Sequence, residues 1–320
     1  MNEYSFIKAS LINKKYRGDI VQQIGPIQII EGPHKSKVPY SRSLYIEGSH
    51  EKVLIDTGAD PHSLQQLNKQ SGVDLVINTH YHPDHTCHNY LFPKAEKWIN
   101  KIEYQMSLTV EGIAKANGVY QEWGSAGVKE WAENIPQTWI QSLSEINGYY
   151  EYEKEYRLGG VNVIFLHTPG HTKGFTCPYF PDFGVVFTGD YDMTTFGPWY
   201  NGTDGNIDEF ISSAQRLLSL DANTFITGHQ KGTFQKDEFH EAMKKYLSII
   251  DQRDNVIEKY VQQGLDFEEL TSIGIFYPKN TLEHSILNTW ERSGIRKHLH
   301  RLGYKVENGA IKHLVYSNKK

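Results

Sequence analysis

Four short apolar runs in this chain each stop at a residue type that binds metal ions. Asp74-Leu75-Val76-Ile77 runs into Asn78-Thr79-His80-Tyr81-His82-Pro83-Asp84-His85, with three imidazoles and a carboxylate inside six residues. Val161-Asn162-Val163-Ile164-Phe165-Leu166 leads to His167-Thr168-Pro169-Gly170-His171-Thr172. Gly184-Val185-Val186-Phe187-Thr188 leads to Gly189-Asp190, and Asn223-Thr224-Phe225-Ile226-Thr227 to Gly228-His229. Such β-branched runs read as strands, and binding groups on loops held by a sheet are the usual arrangement in α/β proteins. The repetition says more than any single motif. Within the first motif, alternate side chains on an extended backbone share a face, so His80 and His82 can converge on one point. Asp84 and His85 follow a proline that breaks the strand, and they turn toward a neighbouring point. A polar loop in which histidines fell together by chance is the bland alternative; with 15 histidines in 320 residues, this clustering beside an acid is improbable.

The rest of the chain frames these strand ends. Ile20-Val21, Ile24 and Ile27–Ile30 read as strands with tight turns, and Ser43–Gly48 with Lys52–Asp56 as a hairpin that closes in Asp56-Thr57-Gly58. A helix over Pro61–Gln70 precedes the first ligand motif. From 93 to 156 the apolar spacing turns helical, as in Glu96–Met106, Gly127–Ala132 and Trp139–Ile146. This aromatic insertion lies between ligand groups, a placement suited to a cap over the site or to plain packing on the body. Ile207–Leu220 reads as an amphipathic helix. After Gly232 the pattern is helical and charged (Lys236–Gln263, Asp266–Thr271, Leu282–Leu302), and Asn308-Gly309 between two strand-like runs signals a hairpin. Helices followed by a hairpin suggest a winged-helix-like appendage. The expected division is therefore 1–232 as a catalytic domain, with 93–156 inserted, and 233–320 as a C-terminal region.

Composition narrows the class. A content of 38% hydrophobic and 22% charged residues fits one large globular domain, alone or with a small appendage. Net charge of −5 gives no global basic field for nucleic acid. Two cysteines, Cys87 and Cys177, argue against a disulfide framework and fit a reducing compartment; both read as structural. Met1–Ile7 lacks the features of a signal peptide, and no apolar run approaches the roughly 18–20 residues of a membrane helix, so the expected location is cytoplasmic.

His80, His82, Asp84, His85, His171, Asp190 and His229 form one candidate set, and imidazoles with carboxylates suit borderline divalent ions such as zinc. In order, Asp56, His-x-His-x-Asp-His, Thr-Pro-Gly-His171-Thr, Thr-Gly-Asp190 and Thr-Gly-His229 resemble the pattern of metallo-β-lactamase-superfamily hydrolases over roughly residues 20–232. The resemblance implies a four-layer αββα sandwich of the α/β class. It also implies a first ion held by His80, His82 and His171, a second by Asp84, His85 and His229, and Asp190 bridging both. Asp56 then braces the ligand loop, and Asp84 ligates while shuttling a proton. The implied cofactors are two divalent ions, zinc foremost, with iron, manganese and cobalt accepted by the same ligands.

The implied activity is attack by a hydroxide shared between the two metals on a small ester, thioester or lactone. The stretch Thr79–His85 resembles glyoxalase II-like enzymes, although Thr86-Cys87-His88-Asn89 replaces the small residues usual after it. His88 reads as a supporting or surface group. Tyr191, Trp199 and Tyr200, near or on the loop after Asp190, are candidate substrate contacts. A second reading is an RNA-cleaving nuclease of the same superfamily, carried by the basic stretch Ile295–Leu302. A di-iron redox protein is disfavoured by His82, where that branch has glutamate. A non-catalytic binding or signalling protein retaining the site completes the alternatives. A homodimer is expected by analogy only.

Overall fold

A computed structural model of the chain describes residues 20–314 apart from 108, 136 and 284. The Met1–Ile7 stretch and the end of the C-terminal hairpin motif, Val315-Tyr316, lie outside the described residues.

Two sheets carry the ligand loops. The first comprises β1 (Ile20–Ile24), β2 (Ile27–Ile30), β3 (Ser43–Glu47), β4 (Lys52–Ile55), β5 (Leu75–Ile77), β6 (Glu96–Asn100) and β7 (Gly148–Tyr150), in that spatial order. It is antiparallel from β1 to β4 and parallel from β4 to β7. The second contains β8 (Glu155–Leu158), β9 (Val161–His167), β10 (Thr176–Phe180), β11 (Val185–Gly189), β12 (Thr224–Thr227) and β13 (Thr233–Gln235), ordered 13-12-11-10-9-8. A two-stranded hairpin, β14 (Tyr304–Glu307) and β15 (Ala310–His313), follows.

Strand alternation explains the layering. Ile27, Ile29, Leu44, Ile46, Val53, Ile55, Leu75 and Ile77 point inward and meet Val161, Val163, Phe165, Val185, Phe187 and Ile226 of the second sheet. Their neighbours in sequence point outward: Ile30, Tyr45, Leu54 and Val76 meet Leu64 and Phe92. On the far side Leu166, Val186 and Phe225 meet Phe210, Leu217, Phe239 and Met243 from helices. The result is the αββα sandwich. Because β4 and β5 run parallel, as do β11 and β12, Asp56 and Asn78 leave the first sheet together, and Asp190 and Gly228 leave the second together.

The insertion departs from its sequence reading at its start. Glu96–Asn100 is the parallel strand β6, and the helix begins only at Lys101. Pairing with β5 overrides a spacing that looks helical, and buried Lys97 is satisfied by the carbonyls of Phe92 and Ala95. Between β6 and β7 lie helices Lys101–Ser107, Val110–Ala116, Val119–Asn134 and Gln137–Ser144. Their core of Ile113, Trp131, Trp139 and Leu143 includes Tyr81 of the ligand loop.

The C-terminal region follows the expected order of helices and hairpin, with helices Lys236–Gln262, Phe267–Thr271 and Ser285–Arg301. It shares its core with the sandwich. β13 begins immediately after Gly232 and pairs with β12, and Phe239 stacks on Phe225 at 3.9 Å and 3°. The basic stretch 295–302 is occupied internally. Arg296 pairs with Glu122, His298 and Arg301 with Asp254, and Lys297 donates to the carbonyls of Gly202 and Gly205. Among the described residues no helix is long and apolar enough to cross a membrane.

Phe239→Ala removes the ring that fastens the long C-terminal helix to β12. Urea unfolding is expected to show a loss of about 3–5 kcal/mol, as for other buried aromatic truncations. A loss confined to a separate early transition would mean that the region folds apart from the sandwich.

Candidate metal centre

The strand ends converge on two sets of donors. His80, His82, His171 and Asp190 form one, and Asp84, His85, Asp190 and His229 the other, with the donor atoms of each set within 4.8 Å of one another. Asp190 belongs to both. In the first set His80 Nε2 lies 3.0 Å from His82 Nδ1, which lies 2.9 Å from His171 Nε2, itself 3.1 Å from Asp190 Oδ2. In the second set His85 Nε2 is 2.8 Å from Asp190 Oδ1, while His229 Nε2 lies 3.4 Å from that oxygen and from Asp84 Oδ2. Nitrogens bound to one ion at about 2.0–2.1 Å stand roughly 3.0–3.4 Å apart, so this spacing fits ligands around common centres.

Unsatisfied atoms supply an independent test. Asp190 Oδ1 is buried beside His85 Nε2 and His229 Nε2 without a well-formed hydrogen bond; His82 Nε2 is also unpartnered, although it is the Nδ1 of that ring that joins the donor set. Native interiors rarely leave such groups unpaired. The residues present fit a pair of divalent ions.

Three of the imidazoles are aimed from behind. His171 Nδ1 faces the Trp199 carbonyl at 3.0 Å, and His229 Nδ1 faces the carbonyls of Ser36 and Tyr40 at 3.0 and 2.9 Å. His85 Nδ1 faces Asp56 Oδ2 at 2.7 Å. Donation to these oxygens leaves Nε2 free to ligate, the usual way a supporting acceptor fixes a metal-binding tautomer. Asp56 also accepts the Thr79 backbone N–H at 2.8 Å and its hydroxyl at 2.9 Å. Gly58 permits the close fit between these loops, since a β-carbon there would lie 1.7 Å from the Asp84 carbonyl oxygen.

Burial and charge divide the imidazoles into two classes. Burial, reinforced by His85 and His82, lowers His80 well below the ordinary imidazole range; burial and His171 do the same to His82. His171 is also lowered, burial outweighing the pull of Asp190. For His85 burial is overcome by Asp190 and Asp56, which raise it well above the usual value. His229 is likewise raised to about 9, Asp190 and Asp84 outweighing burial. Burial alone would raise Asp190, but His171, His85 and His229 hold it well below the carboxylate range.

The other sequence candidates separate cleanly. The ring of Trp199 stands 5.1 Å from both His82 and His171, half-buried beside the first set. Tyr191 and Tyr200 are fully buried, and their hydroxyls are engaged within the protein. Tyr191 donates to the Thr168 and Pro169 carbonyls; Tyr200 is held by His298 and Arg253. Neither is placed to touch a substrate, because tertiary packing turned them into the core. His88 faces the Thr57 carbonyl at 2.8 Å and supports that loop. Burial pushes both thiols up, Cys87 to about 12 and Cys177 to about 12, so neither is a ready nucleophile.

Two groups escaped the sequence reading. Arg253, on the long C-terminal helix, donates to the carbonyls of Pro198 and Phe196 at 2.7 and 2.6 Å and so clamps the loop that carries Trp199. Glu103, in the insertion, is fully buried between the ligand loops; burial and Asp204 push it up to about 8, against three hydrogen-bond donors. Neither lies in a motif. Only tertiary structure brings them to the site.

Comparison with known proteins bears on the family and the fold. The model of the Metallo-beta-lactamase superfamily matches residues 37–105 and 109–229. An uncharacterised protein of Aquifex aeolicus is 27% identical over 192 residues, 58% of this chain and 82% of its own length. The mitochondrial hydroxyacylglutathione hydrolase of Saccharomyces cerevisiae is 26% identical over 179 residues, and the match spans 53% of this chain and only 52% of that enzyme. In structure, a beta-lactamase domain protein from Burkholderia ambifaria superposes with a TM-score of 0.65 at 14% identity, covering 97% of this chain and 96% of the other. A metallo-beta-lactamase family protein from Thermus thermophilus gives 0.59 at 16% identity, covering 90% and 97%.

The raised imidazoles fix the sign of a pH effect. His85 and His229 are both pushed above the ordinary imidazole range by the neighbouring carboxylates, and ligation requires both in neutral form, so ion uptake is expected to displace protons and to weaken as pH falls. Calorimetric titration with zinc at pH 7, in buffers of different ionisation enthalpy, is expected to report net proton release that grows as the pH is lowered toward 6. Uptake without net proton release would contradict the assignment.

Proposed function

Because the chain belongs to the metallo-beta-lactamase superfamily, we propose that it is a dinuclear metal-dependent hydrolase of a small ester, thioester or lactone. The observation that carries this reading is Asp190, one carboxylate shared by two complete donor sets. When bound, two divalent ions would acidify a water held between them and polarise the electrophile. Zinc is the favoured pair, since the donors are imidazole and carboxylate with no thiolate; iron, manganese and cobalt suit the same ligands.

The chain's own residues would do the rest. Asp84 and Asp190 keep 13% and 12% side-chain exposure, so the carboxylates are the part of the site that meets solvent, while the histidines lie behind them. Asp84 is therefore placed to accept a proton from the attacking water and return it to the leaving group. Phe175, with its ring 5.0 Å from His80 and 5.1 Å from His171, keeps water off the rear of the first set. A low-dielectric surround of this kind strengthens each electrostatic contact at the reacting centre. Trp199 offers an apolar edge beside His82 and His171 for the acyl portion of a substrate, and Trp290 of the C-terminal helix extends that surface with its ring 5.4 Å away.

The yeast relative's name favours thioesters within this class, and its partial coverage keeps esters and lactones as candidates beside them. An RNA substrate is less well supported, because Arg296, Lys297 and Arg301 of the basic stretch are held by Glu122, by carbonyls and by Asp254.

The protein loaded with zinc should hold close to two ions per chain and turn over at least one member of a panel of thioesters, esters, lactones, phosphodiesters and RNA. His80→Ala and Asp190→Ala are each expected to lower hydrolysis by at least about 10²-fold, the scale of losing one electrostatic element, with far-ultraviolet circular dichroism unchanged. Full activity and full metal content in either variant would remove the assignment.

A further inference from the structure

We propose that Glu103, which lies outside every ligand motif, is a positioning residue that sets the separation between the two halves of the first donor set. This inference rests on the metal reading above. His80 and His82 sit on the loop after β5, in the first sheet, whereas His171 sits on the loop after β9, in the second. The 2.9 Å approach of His82 Nδ1 to His171 Nε2 therefore spans two sheets that share no strand pairing. Something other than a sheet ladder has to hold it.

The Glu103 carboxylate joins the two loops directly. One oxygen accepts the Thr172 hydroxyl at 2.6 Å and the Gly174 N–H at 2.8 Å; the other accepts the Tyr81 N–H at 3.1 Å. Tyr81 is the residue between His80 and His82, and Thr172 follows His171. Every histidine of the set is thus one residue from a donor held by this single side chain. Asn100 anchors the carboxylate in turn. Its Oδ1 accepts the Glu103 N–H at 2.9 Å, and its Nδ2 donates to the Gly174 carbonyl at 2.8 Å. At Gly174 the fit is closed: a β-carbon would stand 2.6 Å from Asn100 Oδ1 and 2.7 Å from the Glu103 side chain. Asp56, by contrast, reaches Thr79 and His85, both on the loop after β5.

The chemistry separates this role from general packing. In either protonation state both carboxyl oxygens keep acceptor capacity, whereas in Glu103→Gln an amide NH2 replaces one of them and cannot accept, so the backbone N–H or hydroxyl it faces loses its acceptor. One loop loses its hold while side-chain volume is kept. Supporting residues of this kind typically change metal affinity by about 10–100-fold.

The test uses the full chain titrated with cobalt(II) against a competing chelator, with the visible spectrum of each bound ion recorded. His80→Ala serves as the reference for loss of the first set. Glu103→Gln is expected to weaken the first-set ion by about 10–100-fold and alter its spectrum, while the second ion binds as in the unaltered protein. Thr172→Val, which keeps the carboxylate and removes one donor, should weaken the same ion less. It carries the test if the glutamine variant does not fold. Unchanged affinity and spectrum in the variant that folds, or equal weakening of both ions, would overturn the inference. If the unaltered protein takes up no cobalt, the proposed function fails with it; if it takes up two ions and only the Glu103 effect is missing, this inference fails alone.

Discussion

Asp190 facing three buried imidazoles is the interaction on which the rest of the site depends. A carboxylate removed from water is costly unless opposite charge and hydrogen bonds surround it. Here His171, His85 and His229 arrive from three strand ends on two sheets, and together they hold Asp190 well below the carboxylate range against the effect of burial. The same carboxylate in return raises His85 and His229. His80, His82 and His171 lie in the opposite regime, kept neutral by burial and ready to ligate. Carboxylates and burial thus divide the imidazoles, Asp190 with Asp56 and Asp84 raising His85 and His229 while burial lowers the other three.

The scaffold supports that arrangement through residues distant in sequence. Asp56 ties His85 to Thr79, and Glu103 ties the loop of His80 and His82 to that of His171. Arg253 clamps the 196–200 loop, whose Trp199 carbonyl orients His171. The last connection gives the C-terminal region a part in the site. Its long helix fills the outer face of the second sheet with Phe239 and Met243, and the same helix supplies Arg253. Trp290 on a later helix stands beside Trp199, so this region also shapes what approaches the ions.

Much of this was legible in the sequence because strand ends advertise themselves. A β-branched run that stops at Thr-Gly-Asp190 or Thr-Gly-His229 states both the element and the exposed group, and the sandwich was implied by the resemblance that these motifs carry. What failed to show was whatever depends on side-chain direction or on partners far along the chain. Tyr191 and Tyr200 sit near Asp190 in sequence, yet packing against Phe210 turns both rings into the core. Glu96–Asn100 has the spacing of a helix and becomes a strand because β5 offers it a parallel edge. The basic stretch 295–302 reads as a nucleic-acid face until its acidic partners, from Glu122 to Asp254, are seen packed against it. Glu103 carries no local signal, since its role exists only where three separate segments meet.

The central claim is that seven side chains build two adjacent ion sites sharing one carboxylate. A crystal structure of the zinc-loaded protein, with anomalous data collected at the zinc edge, tests it most directly. Two peaks about 3.5–4 Å apart are expected, one among His80, His82 and His171, the other among Asp84, His85 and His229, with Asp190 touching both. A single peak, or two peaks without Asp190 between them, would contradict it.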